Sequence, residues 1–378
     1  MAGIYIHIPF CRQKCHYCNF FSIASTRHRA DFVAALLRET DERYGYLQGG
    51  QVSTIYFGGG TPSLLHPAEL EMIFEKLFSL FQITADAEIT LEANPDDVSE
   101  DFLEALKSSP VNRLSMGVQS FFDDDLSYLH RNHKAGQALK AIEMARNKGF
   151  DRLTIDLIYG IPTLTDEKWK QNIATFMQLG ISHLSAYALT VETKTALAHL
   201  IRKGQLSPVD EVQSTKHFEM LLESMEANGF VHYEISNFAK PGHYSRHNSL
   251  YWLGGHYLGL GPSAHSFNGI SRQWNVSNLS AYIRHTDTGG YVEEKEILTV
   301  VQQFNEYVMT SLRTSWGCDL EHIANVFGPS YARYLEKEAA TAVDAGRLRL
   351  EGSRFYLTKT GKLFADGIAA ALFLEEPL

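Results

Sequence analysis

Apolar, strand-like runs at 4–9, 52–57, 87–92, 113–117, 153–157 and 183–188 alternate with longer stretches of helical spacing. Phe32, Leu36 and Leu37 recur at i, i+4, i+5, and Leu70, Ile73, Phe74 and Leu77 at i, i+3, i+4, i+7. Strands interleaved with helices of this length predict a parallel sheet with helices outside it. Right-handed crossovers then leave an open doubly wound sheet or a barrel. Gly58-Gly59-Gly60-Thr61-Pro62, Glu92-Ala93-Asn94-Pro95, Gln119-Ser120 and Asp156-Leu157-Ile158-Tyr159-Gly160 all fall at or just after strand C-termini. Functional groups gathered at that rim favour the barrel, and six units suggest a partial one. The expected fold class is α/β, a partial (β/α)6 TIM-like barrel over residues 1–235. A connecting segment rich in Gly, Asn, His and aromatic residues follows over 236–290. A mainly helical, winged-helix-like domain over 291–378 closes the chain, its hairpin at 347–350 and 354–357 turning at Glu351-Gly352-Ser353.

Composition narrows the functions such a chain can serve. Hydrophobic residues make up 44% and charged residues 21% of 378, so wholesale disorder is excluded. A formal net charge of -10 argues against a broad basic surface, and a DNA-binding role for the winged-helix-like domain is not expected. No stretch approaches the roughly 18 apolar residues that span a bilayer. The N-terminus lacks the basic region of a signal peptide. The expectation is a soluble cytoplasmic protein without a membrane span.

Four cysteines are too few to staple a secreted scaffold. Three lie close together in Cys11-Arg-Gln-Lys-Cys15-His-Tyr-Cys18, just after the first strand. A structural zinc site wants a fourth ligand, for which His16 would have to turn against its neighbours. A thioredoxin-like dithiol leaves Cys11 unexplained, and haem attachment fails because Asn19 follows Cys18. A [4Fe–4S] cluster with three protein ligands uses all three thiolates and leaves one iron open. An open iron suits a chelating cosubstrate, and cluster potentials can be strongly reducing. The amino and carboxylate groups of S-adenosylmethionine (SAM) can occupy it. The C-x3-C-x2-C loop, with Tyr17 before the last cysteine, resembles that of the radical SAM superfamily.

The other rim residues are ambiguous one by one. A glycine run is often only a tight turn, and Glu, Asp and Gln at strand ends or helix starts are commonly solvated residues or caps. Set opposite the cysteine loop, the glycine run resembles the superfamily motif that receives the SAM amino group. Glu92 stands where a carboxylate can pair with that ammonium, Arg131 offers a fork for the carboxylate, and Asp156 can accept from ribose hydroxyls.

The similarity extends over nearly the whole chain. Tyr5-Ile6-His7-Ile8-Pro9-Phe10-Cys11, the GGGTPSLL run, Glu92-Ala93-Asn94-Pro95, Arg113-Leu114-Ser115-Met116-Gly117-Val118-Gln119-Ser120-Phe121 and Asp156-Leu157-Ile158-Tyr159-Gly160 resemble the oxygen-independent coproporphyrinogen III oxidase group. That group comprises the oxidase and its HemW-type haem-chaperone branch. The resemblance implies that Cys11, Cys15 and Cys18 ligate the cluster. It implies SAM contacts at Tyr5, Tyr17, Gly59, Gly60, Thr61, Glu92, Gln119, Arg131 and Asp156, and assigns no catalytic residue. The oxidase has a fourth cysteine where this chain has Phe20, and a longer arm before the cluster. The run His247-Asn248-Ser249-Leu250-Tyr251-Trp252 matches the H-N-x-x-Y-W motif of the chaperone branch. It implies haem binding, with His247 as candidate iron ligand beside the flat Tyr251 and Trp252. His243, His256 and His265 are rivals. The implied partners are haem and acceptor haemoproteins, with respiratory ones at the membrane as candidates, and an electron donor if SAM is cleaved. The competing class is the oxidase, an enzyme that decarboxylates propionates to vinyls. Gly259-Leu260-Gly261-Pro262-Ser263-Ala264-His265 is a further close-approach loop, and isolated Cys318 is expected to be a buried apolar residue.

Replacing Cys11, Cys15 or Cys18 with Ala is expected to abolish cluster assembly, whereas Cys318→Ala leaves it intact. Iron and sulfide content after anaerobic reconstitution checks this, and bound zinc without iron–sulfur absorption in the unmodified chain would end the reading.

Overall fold

The computed structural model describes residues 2–284 and 290–377. Six parallel strands carry the first part: β1 (Ala2–Ile8), β2 (Val52–Gly59), β3 (Ile83–Ala93), β4 (Arg113–Gln119), β5 (Leu153–Tyr159) and β6 (His183–Ala188). The helices between them are α1 (Arg29–Arg43), α2 (Pro67–Leu80), α3 (Glu100–Lys107), α4 (Asp123–Tyr128), α5 (Ala135–Asn147) and α6 (Asp166–Gln178). The strands alternate strictly. In β1, Ile4, Ile6 and Ile8 are fully buried in the apolar core, while Tyr5 and His7 point to the opposite face. Helix starts follow ordinary capping chemistry. Pro67 opens α2 behind a reciprocal His66–Glu69 capping box, and Thr165 accepts from Lys168 N ahead of Asp166 and Glu167 in α6.

Beyond β6 come α7 (Ala196–Arg202), α8 (Glu211–Ala227), the hairpin β7 (Val231–Glu234) and β8 (Asn237–Ala239), and α9 (Arg246–Trp252). Then follow β9 (His256–Leu260), β10 (His265–Phe267), β11 (Ser271–Asn275), α10 (Leu279–Ile283) and β12 (Val292–Ile297). The segment expected to connect two domains thus supplies strands to both edges of one sheet, in the order β12-β11-β10-β9-β1-β2-β3-β4-β5-β6-β8-β7. β9 runs parallel to β1, and β8 runs antiparallel to β6. The remaining elements are α11 (Val300–Leu312), β13 (Cys318–Asp319), α12 (Leu320–Val326), α13 (Pro329–Asp344), β14 (Leu348–Glu351), β15 (Arg354–Leu357) and α14 (Ala365–Ala371). They enclose a second apolar core, where Cys318 is fully buried beside Phe304, Leu335 and Phe355.

One buried ion pair fastens the added strands to the barrel. Glu39 on α1, with no exposed surface, accepts from Gly261 N at 2.8 Å, Asn275 Nδ2 at 2.6 Å and Tyr282 Oη at 2.6 Å. Arg43, one turn on, donates to Glu39 at 2.8 Å and to Gly259 O and Asn275 Oδ1 at 2.9 Å. Removing one partner of such a pair strands the other charge away from water. Glu39→Ala is therefore expected to lower unfolding free energy by about 3–5 kcal/mol, read from urea denaturation monitored by circular dichroism.

Candidate functional site

The β1–α1 loop leaves the sheet through two backbone bonds, Ile23 N to Pro9 O at 2.7 Å and Cys11 N to Ile23 O at 3.0 Å. Inside it, Cys18 N donates to Cys15 O at 3.3 Å, turning the last two cysteines back on each other. Outside it, Arg12 pairs with Asp97 at 2.6 Å, and Asp97 also accepts from Ser63 Oγ at 2.9 Å. One carboxylate thus ties the cysteine loop to the loop after the glycines.

Cys11, Cys15 and Cys18 line a cavity of about 560 Å³ at the C-terminal rim of the parallel strands. Tyr17, Gly59, Gly60, Thr61, Glu92, Gln119, Arg131 and Asp156 line it too. Thr61 Oγ1 donates to Cys11 Sγ at 3.5 Å and Arg131 Nη1 to Cys15 Sγ at 3.3 Å. Burial pushes the Cys11 and Cys18 thiols up, a penalty that ligation by a metal centre removes. Among the described residues, no three His, Cys, Asp or Glu side chains are grouped as ligands of a single ion. The three cysteines share the cavity lining.

The opposite wall is bare backbone. Gly59 has φ +109°, and a Cβ there would sit 2.7 Å from the His7 ring; one on Gly60 would sit 2.7 Å from Phe10 O. Only glycine fits either position. Glu92 ends β3 and accepts from Tyr56 Oη at 2.7 Å. Withdrawal from bulk water, reinforced by the Asp156 charge, raises its carboxyl to about 7 against that hydrogen bond. Asp156 on β5 accepts from Ser115 Oγ at 3.3 Å, and burial raises it to about 6. Gln119 takes a left-handed φ of 69°, a strained backbone at the rim. Arg131 donates through Nη2 to Asn94 Oδ1 at 2.6 Å and Gly117 O at 2.8 Å, while its buried Nε has no partner. The wall offers two buried carboxylates, of which Glu92 has no cation acting on it among the described residues, and a guanidinium N–H without an acceptor. It complements a ligand bearing an ammonium, a carboxylate and hydroxyls.

Tyr56, Asn94 and Ser115 are site residues that the sequence reading does not single out. Tyr56 and Ser115 lie on the inward-facing alternation of β2 and β4, and that period is the signal that marks them. Asn94 sits in the Glu92-Ala93-Asn94-Pro95 run. There it joins Arg131 to Thr61, donating to Thr61 Oγ1 at 3.1 Å.

Four expected residues stand apart from the cavity. Tyr5 is behind the wall, bonded to His7 Nδ1 at 3.2 Å and stacked on Tyr56. His247 is 1% exposed, with Nδ1 bonded to Thr54 Oγ1 at 2.9 Å and Nε2 to Tyr251 Oη at 2.9 Å. Neither ring nitrogen is free for iron in this arrangement; ligation would require His247 to leave both partners. Tyr251 is half-buried over Tyr257, and Trp252 lies under the Arg313 guanidinium at 5.3 Å. His243, His256 and His265 are exposed.

Fold and cavity together define a radical SAM scaffold. The model of the Radical SAM superfamily matches residues 5–175, and that of the HemN C-terminal domain matches 298–364. The solved coproporphyrinogen III oxidase (HemN) from Escherichia coli, a radical SAM enzyme, superposes with a TM-score of 0.85 at 25% identity. That match covers 99% of this chain and 90% of the oxidase. Among curated relatives, heme chaperone HemW of Bacillus subtilis (strain 168) is 35% identical over 379 residues, with 100% of both chains covered. Heme chaperone HemW of Escherichia coli (strain K12) is 33% identical over 387 residues, covering 99% of this chain and 98% of that one. The chain belongs to the HemW heme-chaperone family.

Because the folded Glu92 carboxyl lies above its ordinary 4.5, the folded state holds a proton that the unfolded state releases between pH 4.5 and about 7. The Glu92 contribution to the stability of the ligand-free chain therefore falls as pH rises through that window, while the buried neutral histidines His7, His133, His232 and His247 contribute in the opposite sense. The difference in unfolding free energy between Glu92→Gln and the unmodified chain is expected to shift in favour of Glu92→Gln as pH rises from 4.5 to about 7, and urea midpoints of the two proteins measured side by side across the window check it.

Proposed function

We propose that the chain is a haem chaperone built on a [4Fe–4S]- and SAM-binding scaffold, which binds haem and passes it to acceptor haemoproteins. The observation that carries this reading is a cavity that gathers the cysteine triad, the bare glycine wall and the Glu92, Arg131 and Asp156 side chains. It occurs in a chain similar over its whole length to heme chaperones. Cys11, Cys15 and Cys18 hold the cluster in this proposal. Glu92 receives the SAM ammonium against Gly59, Gly60 and Thr61. The unpartnered Arg131 Nε meets the carboxylate, Asp156 the ribose, and Tyr17 and Gln119 complete the enclosure. Tyr5 acts from behind the wall. A cluster with SAM supplies one-electron chemistry, for which an electron donor is needed.

Phe20 supports the chaperone branch. It stands at the cavity lining, 69% exposed, at the position where the sequence resemblance puts the oxidase's fourth cysteine. It offers a flat apolar surface, as do Tyr251 and Trp252 on their part of the fold. His247 can ligate haem iron only in a state that releases Thr54 and Tyr251. Acceptors include respiratory haemoproteins in this proposal, and the protein works in the cytoplasm. No helix among the described residues is long and apolar enough to cross a membrane. In this proposal the chain divides at 235 and 290, the middle part joining the sheet of the first.

A second reading, oxidation of coproporphyrinogen III, has the structural similarity to the oxidase behind it. That reaction must hold a flexible tetrapyrrole with one propionate at the radical, and misplacement is costly. Anaerobically reconstituted protein is expected to contain about four irons and four sulfides per chain, to bind haem on titration, and to form no protoporphyrinogen IX when given SAM and reductant. Vinyl product at a catalytic rate would restore the oxidase.

A further inference from the structure

The H-N-x-x-Y-W segment lies against the back of the cavity wall. His247 bridges two residues on one face of β2, bonding Thr54 Oγ1 at 2.9 Å and stacking on Tyr56 with centroids 5.0 Å apart and planes at 24°. Its other nitrogen is held by Tyr251 at 2.9 Å, and its backbone N donates to Glu88 Oε1 at 3.1 Å. Tyr5 stacks on it at 6.4 Å. A Cβ on Gly3 would already be 3.3 Å from His247 Cε1, so the ring has no slack on that side. Tyr56 in turn bonds Glu92 at 2.7 Å. The next motif residue, Asn248, shares a polar cavity of about 40 Å³ with Glu92 and Asp156.

We infer that His247 is a positioning residue for Glu92, acting through Tyr56, so that the motif helix α9 forms the floor of the proposed SAM site. A buried side chain bonded at both polar atoms has one orientation, and so do the rings stacked on it. Tilting His247 moves the Tyr56 hydroxyl, and with it the carboxylate oxygen that it holds. Burial also lowers the His247 ring to about 3, keeping it neutral. His247 therefore adds no charge of its own beside Tyr56. This inference rests on the reading that Glu92 meets the SAM ammonium.

The test uses the full-length, anaerobically reconstituted protein and SAM itself, with affinity read by calorimetry. Tyr56→Phe and His247→Leu are each expected to weaken SAM binding roughly tenfold, with iron and sulfide content unchanged. The double variant is expected to be no weaker than the worse single one, because both changes act on one hydroxyl. Tyr251→Phe, which removes only the hydroxyl on His247, is expected to weaken SAM several-fold and keeps the test available if His247→Leu does not fold. Haem titration of Tyr56→Phe, which replaces neither His247 nor Tyr251, is expected to give the wild-type spectrum. Losses that add in the double variant would overturn the inference, as would variants that bind SAM like wild type. A His247→Leu variant that loses the haem spectrum yet keeps SAM affinity would make His247 an iron ligand instead. Wild-type protein that binds no SAM would reject the SAM reading itself, and the inference with it.

Discussion

Parallel strands end at the same side, and the whole site depends on that constraint. With β1 to β6 in one parallel array, the loops after β1 and β2 and the ends of β3, β4 and β5 meet at a single rim. Residues far apart in the chain become neighbours without any long connection. Asp97, shared by Arg12 and Ser63, and Arg131, shared by Cys15, Asn94 and Gly117, then set the loops against each other. These are buried or half-buried polar groups whose loss of water is offset by several partners at once.

Six strands leave both edges of the sheet unpaired, and later parts of the chain extend them. β9 adds to β1, β8 adds to β6, and α9 lies against β1, β2 and β9. The Glu39–Arg43 pair holds the β9 edge from outside. Glu88, 3.4 Å from Arg113 inside the barrel, receives α9 by accepting from Ser245 Oγ and His247 N. Polar groups fill the interior because the strands turn Tyr, Thr, Ser, Glu and Asp inward while their aliphatic residues face the helices. Burial raises both carboxylates at the cavity, Glu92 with the Asp156 charge added and Asp156 against the opposing pull of Arg131 and Arg113.

Much of this architecture is legible in the order of residues. The strand runs, the helical spacing and the cysteine loop depend on local periodicity and on residues a few positions apart, where physical chemistry is read directly from order. The glycine run, Glu92, Arg131 and Asp156 are legible as rim residues because each ends or follows a strand. Tyr56 and Ser115 are visible only as members of an alternating pattern. What singles them out is a partner from another strand.

His247 marks the boundary. Its sequence neighbourhood, an imidazole beside Tyr and Trp, speaks for a ligand face, and chemistry alone cannot say which way the ring points. Burial against Thr54, Tyr56 and Tyr251 is a consequence of α9 closing the barrel, a contact spanning nearly two hundred residues of chain. The same holds for Glu39, an ordinary helix residue in sequence that becomes the anchor of β9 to β11. Sequence by itself determined the βα repeat, the cluster-type cysteine loop and the family, because those rest on local spacing and residue identity. Tertiary structure decided which polar side chains share a cavity and which are sealed behind it, because burial and partnership arise only once distant segments meet.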